Sequence, residues 1–200
     1  MHDVIIIGAG PAGLTSLLFT LHYGLNAIAV GDTIGGKLLL APDILDYPGI
    51  GNISGREFIE SLTKQLERVD GKVEEKTVTE IKQDTNSKTF ALVCSDSTLL
   101  NTKTLILATG NGNKQRENSA AKLAQQLSLP IENGHIKIDE NNMTTTPGIF
   151  AAGDCITFPT SLEQLPTATA TGIHAAAGVY RYLKNEKPPI LWGSAKIMRK

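Results

Sequence analysis

Val4-Ile5-Ile6-Ile7-Gly8-Ala9-Gly10-Pro11-Ala12-Gly13 decides the fold. Four consecutive β-branched residues read as a strand buried on both faces, because a strand with one wet face alternates apolar with polar. The run enters G-x-G-x-x-G directly, and Pro11 suits the first turn of a helix, where its missing N–H goes unused. Leu14, Leu17, Leu18, Leu21 and Leu25 follow at helical spacing, and Ala27-Ile28-Ala29-Val30 is a second run like the first. Residues 3–31 therefore predict a βαβ unit of about 30 residues with parallel strands. In that setting Gly8 permits the tight turn, Gly10 lets the backbone approach a pyrophosphate, and Gly13 lets helix and strand close together. Helix-end amides and the macrodipole favour the two phosphates. The pattern predicts a bound dinucleotide without choosing between NAD and FAD. An acid ending the second strand would grip the adenosine ribose; here it falls one place late, at Asp32, where a turn former reads equally well.

Gly55 to Val69 predicts a second helix, with Phe58, Ile59, Leu62, Leu66 and Val69 on one face. The period then changes to two. Lys72–Lys76, Val78–Gln83, Thr89–Cys94 and the region around Leu99 predict an antiparallel meander. Leu105 to Gly110 and Ile149 to Asp154 predict two further buried parallel strands, each ending where ligands bind in such sheets. A short helix over Ala120–Leu127 and a hairpin around Glu132–Asp139 lie between them. Pro166 marks the start of a last helix running to about Leu183, whose small face (Ala168, Gly172, Ala175, Ala176 and Val179) can press against a sheet or ligand. The expected organisation is α/β: one domain over 1–184, with a central parallel sheet of Rossmann type and an attached meander. Its segments 1–110 and 119–184 meet across a polar junction at 111–118, and a basic tail follows at 185–200.

Composition narrows the functions. A net charge of −1 from 19 basic and 20 acidic residues lacks the footprint of a nucleic-acid binder. The 28 residues from Val4 to Gly31 carry no Asp, Glu, Lys or Arg, yet Gly8, Gly10, Pro11, Gly13, Gly24 and Asn26 punctuate them too often for a membrane span. No basic n-region precedes the first apolar run, so no secretory leader is expected. Cys94 and Cys155 have 60 residues between them, with no disulfide framework and no C-x-x-C, so reducing cytoplasm is the expected compartment. Cys155 reads as a small buried hydrophobe. His2, His22, His135 and His174 are scattered, and no metal site is expected.

Several stretches, in order along nearly the whole chain, carry a resemblance. They are Gly8 to Gly13; Gly35-Gly36-Lys37-Leu38 with Asp46-Tyr47-Pro48-Gly49; Leu107-Ala108-Thr109-Gly110; Thr146-Pro147-Gly148-Ile149-Phe150-Ala151-Ala152-Gly153-Asp154; and Gln164-Leu165 with Gly172 and Ala175-Ala176. Together they resemble the FAD domain of low-molecular-weight thioredoxin reductases. The resemblance implies FAD as cofactor, held by Gly8, Gly10, Pro11, Ala12 and Gly13, by Ala108, Thr109 and Gly110, and by Asp32 at the ribose. It places Gly153 and Asp154 at the pyrophosphate and ribityl part, Asp154 accepting from a ribityl hydroxyl. Gly36, Lys37, Leu38 and Asp46 would line the isoalloxazine, although the family commonly has Gln at the place of Lys37 and Asn at that of Asp46. A lysine there could stabilise a reduced anionic flavin. Gln164 and Leu165 open a helix whose N-terminus would stabilise negative charge on the ring's pyrimidine side.

In the resembled family an NADPH domain carrying a Cys-x-x-Cys dithiol is inserted between the Ala-Thr-Gly strand and the Gly-Asp strand. Here 36 residues, Asn111 to Thr146, separate those landmarks, too few for a doubly wound domain of on the order of 100 residues. The chain is expected to be a FAD-dependent oxidoreductase or electron-transfer flavoprotein, with a small redox protein as donor or acceptor docking at the flavin and no catalytic residue of its own assigned. A noncatalytic FAD-binding or redox-sensing module acting through a partner is the alternative, and an excised domain of a longer reductase is a third. A homodimer follows from the resemblance alone.

Overall fold

Along the chain lie β1 (His2–Ile7), α1 (Pro11–His22), β2 (Ala27–Val30), α2 (Gly55–Glu67), β3 (Val73–Glu74), β4 (Val78–Asp84), β5 (Thr89–Cys94), β6 (Leu99–Leu107), α3 (Ser119–Gln126), β7 (Ile131–Glu132), β8 (His135–Ile136), β9 (Ile149–Ala151) and α4 (Leu165–Lys184). Two 3-10 turns, Gly36–Leu40 and Gly153–Cys155, complete the set. The computed structural model describes residues 1–111, 119–157 and 162–191. The junction from residue 112 to 118 and the tail beyond 191 lie outside the described residues.

β1 is central. It pairs parallel with β2 on one edge and with β6 on the other, and β2 carries β3 parallel beyond it. The outer edge of β6 is shared: residues 99–102 take β5 antiparallel, and residues 105–107 take β9 parallel. β4 then pairs with β5, so the meander grows from the same strand that carries the parallel sheet. The result is the expected α/β class, a mostly parallel central sheet with antiparallel strands attached.

Two expectations are corrected. Lys72–Lys76 does not belong to the meander: β3 is a parallel strand on β2, because Ala29 N and Gly31 N reach Lys72 O at 3.1 Å and Glu74 O at 3.0 Å. A two-residue strand has no period to read, and the open edge of β2 decides its partner. The region around Leu99 and the strand at Leu105 are likewise one continuous element, β6. Thr102 and Thr104 are buried without cost there, since Thr104 Oγ1 donates to Asp3 O at 2.7 Å and Thr102 Oγ1 to Thr104 O at 2.9 Å.

Alternation in the parallel strands feeds two cores. Val4, Ile6, Ile106 and Phe150 face α1, α2 and α4. Ile5, Ile7, Leu105 and Leu107 face the meander, Leu123 and Ala124 of α3, and Ile136. The exposed edge of β4 is covered by a side chain: Gln126 accepts from Ile81 N at 3.1 Å and donates to Thr79 O at 3.0 Å, as a neighbouring strand would.

α1 and α4 run side by side in the same direction, with Gly172 against Ala12 and Thr15 near one end and the Tyr180 ring tilted against Tyr23, centroids 5.6 Å apart, near the other. Gly172 permits this, for a Cβ there would lie 2.5 Å from Ala12 O. The Ser16 hydroxyl lies 2.8 Å from Ala12 O and 3.1 Å from Gly172 O, bridging the two helices. Gly172→Val should cost about 3 kcal/mol of unfolding free energy by overpacking against backbone, read as a lower urea midpoint at unchanged slope; an unchanged midpoint would refute the contact.

Candidate functional site

The carboxyl ends of β1, β6 and β9 meet at one place, and glycines set how closely. Gly8, at φ +116°, has its α-carbon so near the neighbouring strand that a Cβ would sit 2.2 Å from Ala108 O. A Cβ on Gly13 would sit 1.8 Å from Gly8 O. Gly10, by contrast, faces open space, with no atom within 4 Å of the place a Cβ would take. The turn at Gly36 folds over the glycine loop, held by Gly35 N donating to Ala9 O at 2.7 Å. On the far side Gly153, at φ +74°, abuts Ala12 and donates its N–H to Thr171 Oγ1 at 2.9 Å.

Two helix N-termini are left without side-chain caps at this place. α1 follows Gly10 and α4 follows Gln164; neither has a capping side chain, and neither has an acid in its first turn. α2 shows what the same chain does elsewhere: Ser54 Oγ accepts from Glu57 N at 3.2 Å, and Glu57 Oε2 accepts from Ser54 N at 2.7 Å, a full capping box. Parallel packing brings the unsatisfied amides and positive ends of α1 and α4 to the same side of the sheet.

The rim carries charge. Lys37 Nζ donates to Asn111 Oδ1, and Asn111 Nδ2 donates to Glu163 Oε1, linking the turn after β2, the residue after Gly110 and the approach to α4. Asp154 is half-buried beside them. Burial pushes its carboxyl above the ordinary range, Lys37 pulls it back, Glu163 pushes it up further, and His135 again pulls it down. His135 Nε2 is itself buried without a hydrogen-bond partner, although Nδ1 lies 2.9 Å from Asn133 O. Thr109 Oγ1 is also buried. It lies close enough to Cys155 to bias that thiol, yet has no partner of full hydrogen-bond geometry.

Most of the sequence-derived residues converge. Gly8 and Gly13 meet Ala108, Gly8 also nears Thr109, Gly153 meets Ala12, Gly36 lies over Gly10, Pro11 and Gly110 adjoin them along the chain, and Lys37 and Asp154 stand beside them. Asp32 lies exposed past the end of β2, and Leu38 packs towards the core with its carbonyl against Gly55. Asp46 is exposed, and its segment is held through Tyr47, whose ring packs 5.4 Å from Phe58 and whose hydroxyl lies 3.4 Å from Thr169 Oγ1. Gln164 is exposed and Leu165 half-buried at the head of α4. Sequence reasoning missed Asn111, Glu163, Thr171 and His135; only the polar composition around Asn111 offered any signal. Cys155 is buried as expected, its Sγ 3.2 Å from Ala152 O, and burial pushes its thiol up to about 11.

The fold and the glycine-lined strand ends define a Rossmann-type α/β domain. Residues 2–118 and 75–172 match the pyridine nucleotide-disulphide oxidoreductase family, and the chain belongs to it. Within that family it is thioredoxin reductase-like. It is 34% identical over 116 residues to the thioredoxin reductase of Ureaplasma parvum, covering 58% of this chain and 37% of that protein. With the thioredoxin reductase of Coxiella burnetii it shares 29% over 154 residues, covering 76% of this chain and 44% of that protein. The chain thus spans less than half the length of these curated relatives. Its fold is like the atypical thioredoxin reductase TRi from Desulfovibrio vulgaris Hildenborough, with TM-score 0.82 at 18% identity, covering 94% of this chain and 100% of that one. It is also like a ferredoxin-flavin thioredoxin reductase from Clostridium acetobutylicum, with TM-score 0.77 at 20% identity, covering 92% of this chain and 98% of that one. No helix among the described residues is long and apolar enough to cross a membrane.

Two outcomes follow from the burial of these groups. Both thiols are buried and raised, so a colorimetric thiol reagent at pH 8 should react with Cys94 and Cys155 only as the protein unfolds; fast reaction of folded protein would contradict this. The folded state holds the Asp154 proton more tightly than the unfolded chain does. That lowers stability above the folded pKa, and the penalty lifts as pH falls through it. Asp154→Asn should therefore melt higher than wild type at pH 7, with the gap closing by about pH 4, the ordinary carboxylate value. Equal melting temperatures at pH 7 would refute it.

Proposed function

We propose that residues 1–184 form a single FAD-binding domain that works as an oxidoreductase, exchanging electrons with a small redox protein that docks directly at the flavin. The observation that carries the reading is the uncapped, acid-free N-terminus of α1 beside open space at Gly10, with α4 packed parallel to it and likewise uncapped and acid-free. A dinucleotide's phosphates fit that arrangement, since both the free amides and the dipoles favour negative charge. The buried, unpartnered hydroxyl of Thr109 and the recessed Asp154 add polar groups with hydrogen-bonding capacity to spare.

Gly10 and the first-turn amides of α1 hold the pyrophosphate, and Asp154 orients the ribityl chain by accepting a hydrogen bond. The head of α4 supports negative charge at the ring's pyrimidine side, and Lys37 places a cation at the rim. FAD, when bound, supplies reversible one- and two-electron transfer. Neither thiol is suited to relay electrons, Cys155 being buried with its proton tightly held. Electron entry through a docked protein is supported by the neighbour of like fold described as a ferredoxin-flavin thioredoxin reductase.

The purified full chain should carry a flavin spectrum and release FAD on denaturation. Anaerobic mixing with a reduced iron–sulfur or dithiol protein should bleach it; a flavin bleached by dithionite but by no such protein would count against the docking route. Gly10→Val gives the sharper structural test. Its side chain enters space that no protein atom fills, so stability should change by less than about 1 kcal/mol, while FAD affinity should fall by about a hundredfold or more. Undiminished FAD binding by that variant would refute the site.

A further inference from the structure

We propose that Asn111 is a positioning residue that holds the Lys37 ammonium at the rim of the site, where it offsets the carboxylates of Asp154 and Glu163 and so permits an anionic dinucleotide to bind. This rests on the FAD reading above and assigns a role to three residues that do not touch the glycine loop.

The rim poses an electrostatic problem. Asp154 sits half-buried at the end of β9, and Glu163 approaches it closely enough to disfavour its charge. A dinucleotide brings two more negative charges to the same side of the sheet, and like charges at short range weaken binding unless a cation intervenes. Lys37 is that cation, since it acts on Asp154 in the opposite sense to Glu163. A lysine left free on a surface disperses over many rotamers, and beyond about 8 Å its charge is screened at physiological salt. It compensates two carboxylates only if something fixes it near them.

Asn111 has the chemistry for this task. Its amide offers an acceptor and donors on one short side chain. The acceptor takes Lys37 and the donor goes to Glu163. Aspartate in its place would accept from Lys37 but repel Glu163, and leucine would bind neither. The three residues are 74 and 52 positions apart in sequence and arrive from three separate segments, so the bridge forms only in the folded sheet. A single exposed ion pair contributes little; here a neutral amide joins cation and anion beside a third, half-buried charge, and the network fixes a geometry that isolated pairs do not.

The test uses the full chain freed of flavin and titrated with FAD, followed by quenching of flavin fluorescence at low and high salt. Lys37→Met should raise Kd about tenfold at low salt, with the difference shrinking at high salt. Asn111→Leu should weaken binding severalfold in wild type and add nothing in the Lys37→Met background, because it acts through that lysine. Glu163→Gln should tighten binding. An undiminished effect of Asn111→Leu in the Lys37→Met background overturns the positioning role, as does weaker binding by Glu163→Gln or a fall in the FAD-free unfolding midpoint of Asn111→Leu that matches its loss of affinity. Wild-type chain that takes up no FAD at all overturns the cofactor reading itself, a result distinguishable from failure of the Asn111 variants alone.

Discussion

The structure depends on one close approach of backbone to backbone. At the carboxyl end of β1 the chain passes Ala108 O at Gly8, and α1 doubles back over Gly8 O at Gly13, both at distances no side chain would permit. This seats α1 directly on the sheet. α4 is then seated on α1 through Gly172, and the Gly153 turn is tied to α4 by the bond to Thr171 Oγ1. A side chain at Gly13 would lift α1 and loosen each of these contacts in turn, because interiors packed at crystal-like density pass displacement on to their neighbours.

What this packing creates is a region where ordinary stabilising devices are withheld. A capped N-terminus gains about 1 kcal/mol, and α2 uses the full box of Ser54 and Glu57. α1 and α4 forgo it on the same side of the sheet. Asp154 and Thr109 extend the pattern: a carboxyl held above its ordinary pKa and a buried hydroxyl without a partner each cost stability in the folded chain. Local rules broken together at one place, while they hold elsewhere, are what the proposed ligand site rests on. A ligand that satisfies these groups would restore the lost stability by binding only the folded state.

How far the sequence revealed this depended on the range of each interaction. The β-branched run Val4–Ile7, the leucines of α1 and the small face of α4 announce themselves through period and residue type, and those elements lie where periodicity puts them. The hairpin of β7 and β8 turns at Asn133-Gly134, both with positive φ, as that dipeptide favours. β3 was misassigned because two residues carry no period and only the open edge of β2 selects their partner. β6 read as two elements because Asn101 and Lys103 interrupt its hydrophobicity, while the hydroxyls that let its threonines be buried find partners only in the fold. The rim was the least legible part: Lys37, Asn111 and Glu163 share no spacing, motif or element, and their relation exists only where three chain segments converge.

The arrangement of β6 and β9 also explains why so short a connection suffices between them. The two strands are direct neighbours, Leu107 level with Ala151, so the parallel sheet closes without any element between them in the plane. Between them in sequence, α3 and β8 pack on one face of the sheet. The connection is itself part of the core: Leu123, Ala124 and Ile136 pack against Leu105 and Leu107, and Gln126 closes the edge of β4.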